Sequence, residues 1–486
     1  MLLRKLGQPV NIRNYFVFIQ TLMQISEKMT RTEMRATVSL ASIYGLRMLG
    51  MFLLLPIFAI YAEKLEGGSN HTLIGLALGA YGLMQVLLQL PFGMASDKYG
   101  RKKLIYIGLV LFAIGSAMAA VSTDIYMVIV GRAIQGAGAI SAVVTALVAD
   151  STREEHRTKA MAMIGATIGL TFAVSLVVAP LLNQLIGVSG IFWMTAVLSI
   201  LAIGVVKYAV PDPVHSQFHS DAQTAPSKIK DVLRDAQLLR LNFGTFCLHG
   251  AQMAMFIVVP FALKQTSGMS ENQHWQVYLP VLIASFVLMV PAIIYAEKRA
   301  KLKPVFIGAV ALMLLAQIAF ALNIHVFWGI VASLFLYFVA FNILEASLPS
   351  LISKMAPAAS KGTAMGVHNT AQSLGMFLGA VMGGYLSHKM GFSAVFVFCA
   401  ILMGVWLLLA FGMKTPPSVK TKMYHVGDLT VLKSQQIENA VKNLTGVVDA
   451  TLIAQEHNLI VKIDNQQTKL QQAKLEQDIL NLIGSA

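Results

Sequence analysis

The residues of this chain with chemistry to do are charged or titratable side chains inside long apolar runs. Arg47, Arg132, His249 and Glu345 each sit well within such a run, and His368 lies nearer the end of another. Charge in hydrocarbon is expensive, so ionisable groups kept there mark ion, proton or substrate pathways. Glu345 is a lone carboxylate; held between burial and a nearby cation, it can take up and release protons. Arg47 and Arg132 are the available cations. A Glu345–arginine contact that forms and breaks is the expected coupling device. The plain alternative for Arg47 and Glu345 is a buried structural ion pair, and for Arg132 helix packing. His249 is included as a cavity charge, although His249 and His368 both read better as satisfied polar packing. Gln85 and Gln89, four apart on one helix face, and Gln135, Asn342, Asn369 and Gln372 are the polar candidates for a substrate cavity. There is no G-x-x-x-x-G-K-[ST] phosphate loop, no filter loop and no catalytic constellation. No enzyme, cofactor or metal centre is expected. Cys247 and Cys399 lie inside apolar runs and read as packing residues.

These side chains need a membrane scaffold to position them. Of 486 residues, 56% are hydrophobic and 12% charged, against about 25% charged in soluble domains. Twelve apolar segments are each long enough to span a bilayer. They lie near 36–62, 72–96, 104–121, 125–149, 160–186, 191–210, 241–263, 277–296, 304–322, 326–352, 362–386 and 392–413. The net charge of +14 sits mostly in short connections, so it reads as topology and not as a nucleic-acid footprint. One set of connections carries Lys98, Arg101, Lys102, Lys103, Arg153, Arg157, Lys159, Lys298, Arg299, Lys301, Lys303, Lys354 and Lys361. The opposite set carries only Lys64, Lys264 and Lys389. The positive-inside rule places both termini in the cytoplasm.

The stretch from Gly93 to Lys103, G-M-A-S-D-K-Y-G-R-K-K, joins two of these segments by a tight basic turn. Gly100 permits the turn, and Asp97 can pair with Arg101 or face a helix N-terminus. The spacing G-x-x-x-D-[KR]-x-G-R-[KR] resembles the signature loop between helices 2 and 3 of the major facilitator superfamily. Gly131-Arg-Ala-Ile-Gln-Gly-Ala-Gly resembles that superfamily's helix 4 signature, in which an arginine faces the cavity and is associated with proton transfer. The spacing from Gly50 to Pro56 is similar to the family's helix 1, with Pro56 bending it. Ala179-Pro180 and Asn183-Gln184 depart from the exporter signature of helix 5. The resemblance implies two six-helix halves with a substrate site between them. It implies a gate built from Gly93, Asp97, Gly100, Arg101, Lys102 and Gly362, in which Asp97 meets the N-terminus of the eleventh helix when the cytoplasmic side closes.

The two halves repeat. Pro91, Asp97, Lys98, Arg101 and Lys103 recur as Pro291, Glu297, Lys298, Lys301 and Lys303, without the glycines. We divide the chain into an N-terminal extension (1–35), a first half (36–210), a linker (211–240), a second half (241–413) and a soluble tail (414–486). In the extension, the apolar stretch 15–25 is either an interfacial helix or lies upstream of a natural start at Met29. Ile229, Val232, Leu233, Ala236 and Leu239 give the linker an amphipathic helix on the membrane surface. The tail follows Pro416-Pro417 and reads β-α-β-β-α, a small ferredoxin-like sandwich. Its strands are near Tyr424, at 448–454 and at 459–463, with a hairpin turn at 455–458. It resembles heavy-metal-associated domains in pattern but has no cysteine, so copper binding is not expected. Twelve helices followed by such a tail resemble one branch of the superfamily.

The expected class is therefore an all-α membrane protein of 12 transmembrane helices in two halves, with a small α+β ferredoxin-like domain. The expected function is proton-coupled secondary transport of a small molecule by alternating access, with efflux of a drug or metabolite through a bacterial inner membrane as the expected direction. Import of a small solute on the same fold is the alternative. A non-transporting sensor that signals through its tail is a third reading. Expected partners are a small-molecule substrate, protons and the lipid bilayer, with self-association or a regulatory ligand at the tail and no nucleic acid.

Overall fold

The computed structural model describes residues 29–212, 223–357, 360–416, 419–426, 431–453, 458–464 and 469–484. The apolar stretch 15–25, the first part of the linker and most of the expected hairpin turn lie outside them.

The first half begins with α1 (Arg31–Phe52) and α2 (Phe58–Glu63). Thr30 opens α1 with a capping box: Glu33 N–H donates to Thr30 Oγ1, and Thr30 N–H donates to the Glu33 carboxylate. The segment expected as one bent span is broken outright at 53–57, where the ring of Pro56 removes a helix donor. There follow α3 (His71–Tyr99), α4 (Arg101–Val121), α5 (Ile125–Ala137) and α6 (Ser141–Asp150). The interruption at 138–140 splits what the apolar pattern reads as one helix. Here Gly138 lies against the Gly108 backbone, an approach that leaves no room for a side chain. Next comes α7 (Glu154–Tyr208), two spans joined at Gly187, whose φ of +67° turns the chain.

The linker helix α8 (Pro226–Arg234) is shorter than expected. The Asp235 carboxylate accepts from Gln237 N–H and Leu238 N–H and starts a new helix. Ala236 and Leu239 therefore belong to α9 (Ala236–Ser267) and not to the linker's apolar face. The second half continues through α10 (Trp275–Lys298), α11 (Leu302–Asn323), α12 (Phe327–Met355), α13 (Lys361–Met390) and α14 (Phe392–Phe411).

Among the described residues, nine helices are long and apolar enough to cross a membrane. One of these is the double span α7. The pair α1–α2 and the glycine-rich α13 complete an arrangement consistent with twelve crossings.

Helix α13 is wedged between α9 of its own half and α3 of the other on two glycine-lined faces. Gly375, Gly379 and Gly383 lie against Phe246, Gly250 and Ala254 of α9, while Gly384 and Ala380 meet His71 and Gly75 of α3. Small residues let the backbones approach closely where apolar burial cannot drive association in lipid.

The tail folds as β1 (Val419–His425), α15 (Val431–Lys442), β2 (Val447–Ile453), β3 (Asn458–Asp464) and α16 (Lys469–Gly484). The antiparallel sheet has the order β1-β3-β2. Ile437, Val441, Leu475 and Ile479 cover one face of it. A register shift between Val447 and Asp449 turns Val448 outward, breaking the expected alternation.

Candidate functional site

The basic turn is organised by Arg101. Gly100 holds φ +100° between α3 and α4, a conformation that favours glycine. Arg101, buried in the first turn of α4, donates from Nη1 to Ser96 Oγ at 2.7 Å and from Nε to Asp150 Oδ2 at 3.1 Å. It also pairs with Asp97. The Asp150 side chain is fully buried at the end of α6. It was not singled out from the sequence, because it reads there as the polar edge of a loop. Lys102 donates to Val210 O at 2.7 Å and pairs with Asp212 at 2.7 Å. Gly93 passes Ala142 at ordinary contact distance. Asp97 is half exposed on its side chain and turned toward Arg101. The first turns of α13, with Gly362 buried, instead receive the linker: Ala225 N–H donates to Thr363 Oγ1 at 3.0 Å, and Thr224 fills the space beside Gly366. In this conformation Asp97 does not make the contact expected of it.

Deep in the first half, two guanidiniums flank one ring. Arg47 on α1 lies 5.7 Å and Arg132 on α5 lies 5.1 Å from the Tyr81 ring centroid. Arg47 Nη1 donates to Ser141 Oγ at 2.5 Å, where α6 begins. Arg132 Nη1 donates to Gln135 Oε1 at 2.6 Å, and Gln135 Nε2 donates to Ser116 Oγ at 2.7 Å. Both arginines are almost wholly enclosed, at 2% and 1% exposure. Among the described residues neither makes an ion pair.

The expected Glu345–arginine contact is not made in this conformation. Glu345 on α12 pairs instead with His249 of α9, Oε2 to Nε2 at 3.3 Å. Both arginines turn toward Tyr81 on the far side of the interface, whereas α9 and α12 pack within one half and bring acid and imidazole together. His249 Nδ1 donates to Thr245 O at 3.0 Å, which aims Nε2 at the carboxylate. The Gln372 amide lies 2.9 Å from the same nitrogen. His368 donates from Nδ1 to Thr245 Oγ1 at 2.9 Å, the hydroxyl proton being spent on Leu241 O. His249 thus lies within ion-pair distance of a carboxylate, while His368 is polar packing. The Glu345 side chain is 41% exposed although it lies well inside the bundle. Phe341 stands beside His249, with centroids 6.2 Å apart, and 5.7 Å from Phe172 of α7. An aromatic contact therefore crosses the interface between this pair and the arginine side.

The polar cavity candidates divide. Gln85 Nε2 donates to Gly136 O at 2.5 Å and satisfies a carbonyl freed by the break between α5 and α6. Gln85, Gln89 and Gln135 are buried within the first half. Asn342 donates to Ser285 Oγ at 3.0 Å. Gln372 and Asn369 remain half-buried on α13.

The halves meet at the end of the bundle away from the tail. Lys64 pairs with Glu271 at 2.8 Å, Asn183 Nδ2 donates to Asn272 Oδ1 at 2.7 Å, and His71 stacks on Phe261 at 4.9 Å. At the tail end, Glu33 accepts from Arg153 N at 2.9 Å and Nε at 3.0 Å. This group precedes the apolar run. Burial raises its pKa, but the hydrogen bonds from Arg153 and Thr30 outweigh that and hold it at about 2. Lys462 of β3 donates to the α12 terminal carbonyls of Lys354 at 3.3 Å and Ala356 at 2.7 Å. Burial lowers its pKa, Asp449 opposes that, and the net direction is down.

The sequence profile of the Major Facilitator Superfamily matches residues 40–380 and 295–434. The inner membrane transport protein YajR of Escherichia coli strain K12 is 42% identical over 441 residues, covering 91% of this chain and 96% of the relative. The multidrug resistance protein MdtH of Aeromonas hydrophila is 27% identical over 356 residues, covering 70% and 84%. Among solved structures, a bacterial homologue of the human lysosomal transporter Spinster, inward-facing and occupied, superposes with a TM-score of 0.63 at 12% identity. It covers 79% of this chain and 97% of its own.

Proposed function

Because the chain belongs to the major facilitator superfamily, a family of small-molecule transporters, we propose that it is a proton-coupled exporter working by alternating access in a bacterial inner membrane. The observation that carries this reading is the Glu345–His249 pair, 41% exposed on its carboxylate yet deep in the bundle. With Nδ1 donating to Thr245 O, Nε2 is either a lone pair or a proton aimed at Glu345. One proton reaching the exposed side of Glu345 neutralises the carboxylate and releases the imidazole; its departure restores the pair. Such a switch changes the charge facing the substrate path once per cycle.

The divisions at 36–210, 211–240, 241–413 and 414–486 serve this reading as two rocking bodies, a linker and a regulatory tail. The tail end is cytoplasmic, by its excess of Lys and Arg. The joined Lys64–Glu271 end is then the closed outer side. Asp97, now on Arg101, would exchange that partner for the first turn of α13 when the inner side closes. Export is supported by the likeness to the multidrug resistance protein MdtH. Import has one specific support, the loss of the exporter pattern at Asn183-Gln184, where Asn183 instead ties the halves together.

The test is Glu345→Gln in everted vesicles and proteoliposomes. We expect loss of proton-driven flux with substrate exchange preserved. Normal uphill transport by the variant would refute the coupling role.

A further inference from the structure

The charges in the bundle do not balance. Glu345 is satisfied by His249 inside the second half. Among the described residues, Arg47 and Arg132, buried in the first half, have no carboxylate of their own. Arg47 Nε and Nη2, Arg132 Nε and the Tyr81 hydroxyl are enclosed without a hydrogen-bond partner. The donors that do have partners reach only neutral oxygens, Ser141 Oγ and Gln135 Oε1. A ring between two guanidiniums attracts each through its face but does not neutralise either. Two like charges enclosed together without a counter-ion are among the costliest arrangements a fold can hold. An arginine buried for structural reasons is ordinarily supplied with an acid or with carbonyls for its N–H groups. The unpaired N–H groups come from two helices and converge beside Tyr81, and the positive end of α6 at Ser141 adds to the same field.

We infer that Arg47 and Arg132, with the Tyr81 hydroxyl, form the binding subsite for the anionic group of the substrate, a carboxylate or similarly shaped oxyanion on an otherwise apolar molecule. The forked guanidinium donors suit a two-oxygen acceptor. The apolar remainder would lie against Phe172 and Phe341 at the interface between the halves. This assignment names the substrate class for the transport reading above and rests on it.

The experiment is thermal unfolding of the full chain in lipid nanodiscs, titrated with 1-naphthoate and with the uncharged 1-naphthamide. Benzoate, acetate and inorganic phosphate serve as smaller anions. At least one anion should stabilise the protein at a concentration about tenfold or more below that of the amide. Arg47→Gln and Arg132→Gln should each weaken that stabilisation by roughly tenfold to a hundredfold, the scale of a lost hydrogen bond to a charged group. Arg132→Lys, which keeps the charge and loses the fork, should fall between. If either glutamine variant fails to fold, the lysine variant and the anion-to-amide ratio of the wild type still decide the matter. Equal effects of anions and amide, or full anion stabilisation in the arginine variants, would overturn the assignment. Binding is read at equilibrium without a gradient. Its failure with proton-driven flux intact overturns the substrate class alone, and loss of flux with binding intact overturns the transport reading alone.

Discussion

Replacing Gly75 by alanine tests whether the seam between α3 and α13 belongs to one conformation only. A methyl group there would sit 3.0 Å from the Ala380 carbonyl carbon and closer still to its oxygen. Carbon atoms in comfortable contact stand about 3.5–4.0 Å apart, so the helices must separate by roughly 0.5–1 Å. Overpacking of this kind costs about 1–3 kcal/mol. The two helices belong to different halves, so the strain exists only while the end bearing Lys64 and Glu271 is closed. Gly75→Ala should therefore shift the population toward opening of that end by about 5–150-fold. Gly375→Ala is the control. Its methyl would sit 3.0 Å from the Phe246 carbonyl carbon, but α9 and α13 share a half, so its strain persists in both states and lowers stability alone. Nitroxide labels at Thr123→Cys and Lys389→Cys, both exposed at that end, report the separation by pulsed electron–electron resonance. Unchanged distances in folded Gly75→Ala protein, or the same shift from Gly375→Ala, would refute the reasoning.

Other consequences can be measured on the same protein. Arg101→Gln strips the guanidinium from buried Asp150 and should cost about 3–5 kcal/mol of stability, recovered in large part by adding Asp150→Asn. Asp97→Asn, half exposed, should leave the unfolding temperature unchanged while altering distances across the tail end; a large loss of stability would count against its gating role. Glu33 is held at about 2 against an ordinary 4.5, so the unfolded chain binds the extra proton between those values. Its contribution is complete above about pH 4.5 and lost as pH falls toward about 2. The stability gap between wild type and Glu33→Gln should narrow along that path, and a gap that stays constant would show that the contribution is not ionic. Lys462→Met keeps the stem and removes the ammonium from the α12 terminus. It should cost about 0.3–2 kcal/mol of docking, seen as faster proteolysis between the last span and the tail, with unaltered cleavage as the contrary result.

The twelve apolar runs, the turn at Gly100 and the β-α-β-β-α tail were all legible as patterns, because bilayer thickness, φ > 0 and strand alternation each act on neighbouring residues. The pairing of Glu345 was not. Which cation reaches it depends on the rotation of α12 against α9, and nothing local in the chain distinguishes His249 from Arg132 as its partner. Asp150 was hidden for a related reason: adjacent to Ser151-Thr152-Arg153 it looks like a loop residue, and only the return of α4 past α6 buries it. The end of the linker helix was misplaced because periodicity runs straight through Asp235, while the cap that divides the helices is a property of its side chain. The break at 138–140 could have been suspected from Gly136 and Gly138, yet glycines also serve close packing, as Gly131 does beside Gly115.

The wedged position of α13 also sets an order of events during synthesis. Its glycine-lined faces are the surfaces on which α3 and α9 are completed, yet it leaves the ribosome next to last among the spans. At about 5–20 residues per second, several seconds pass between the emergence of α9 and that of α13. For that interval Phe246, Gly250 and Ala254 face lipid or the insertion machinery. A half-built bundle thus carries a vacant slot, open to whatever helix arrives first, and its correct filling is a kinetic requirement that the finished molecule no longer displays.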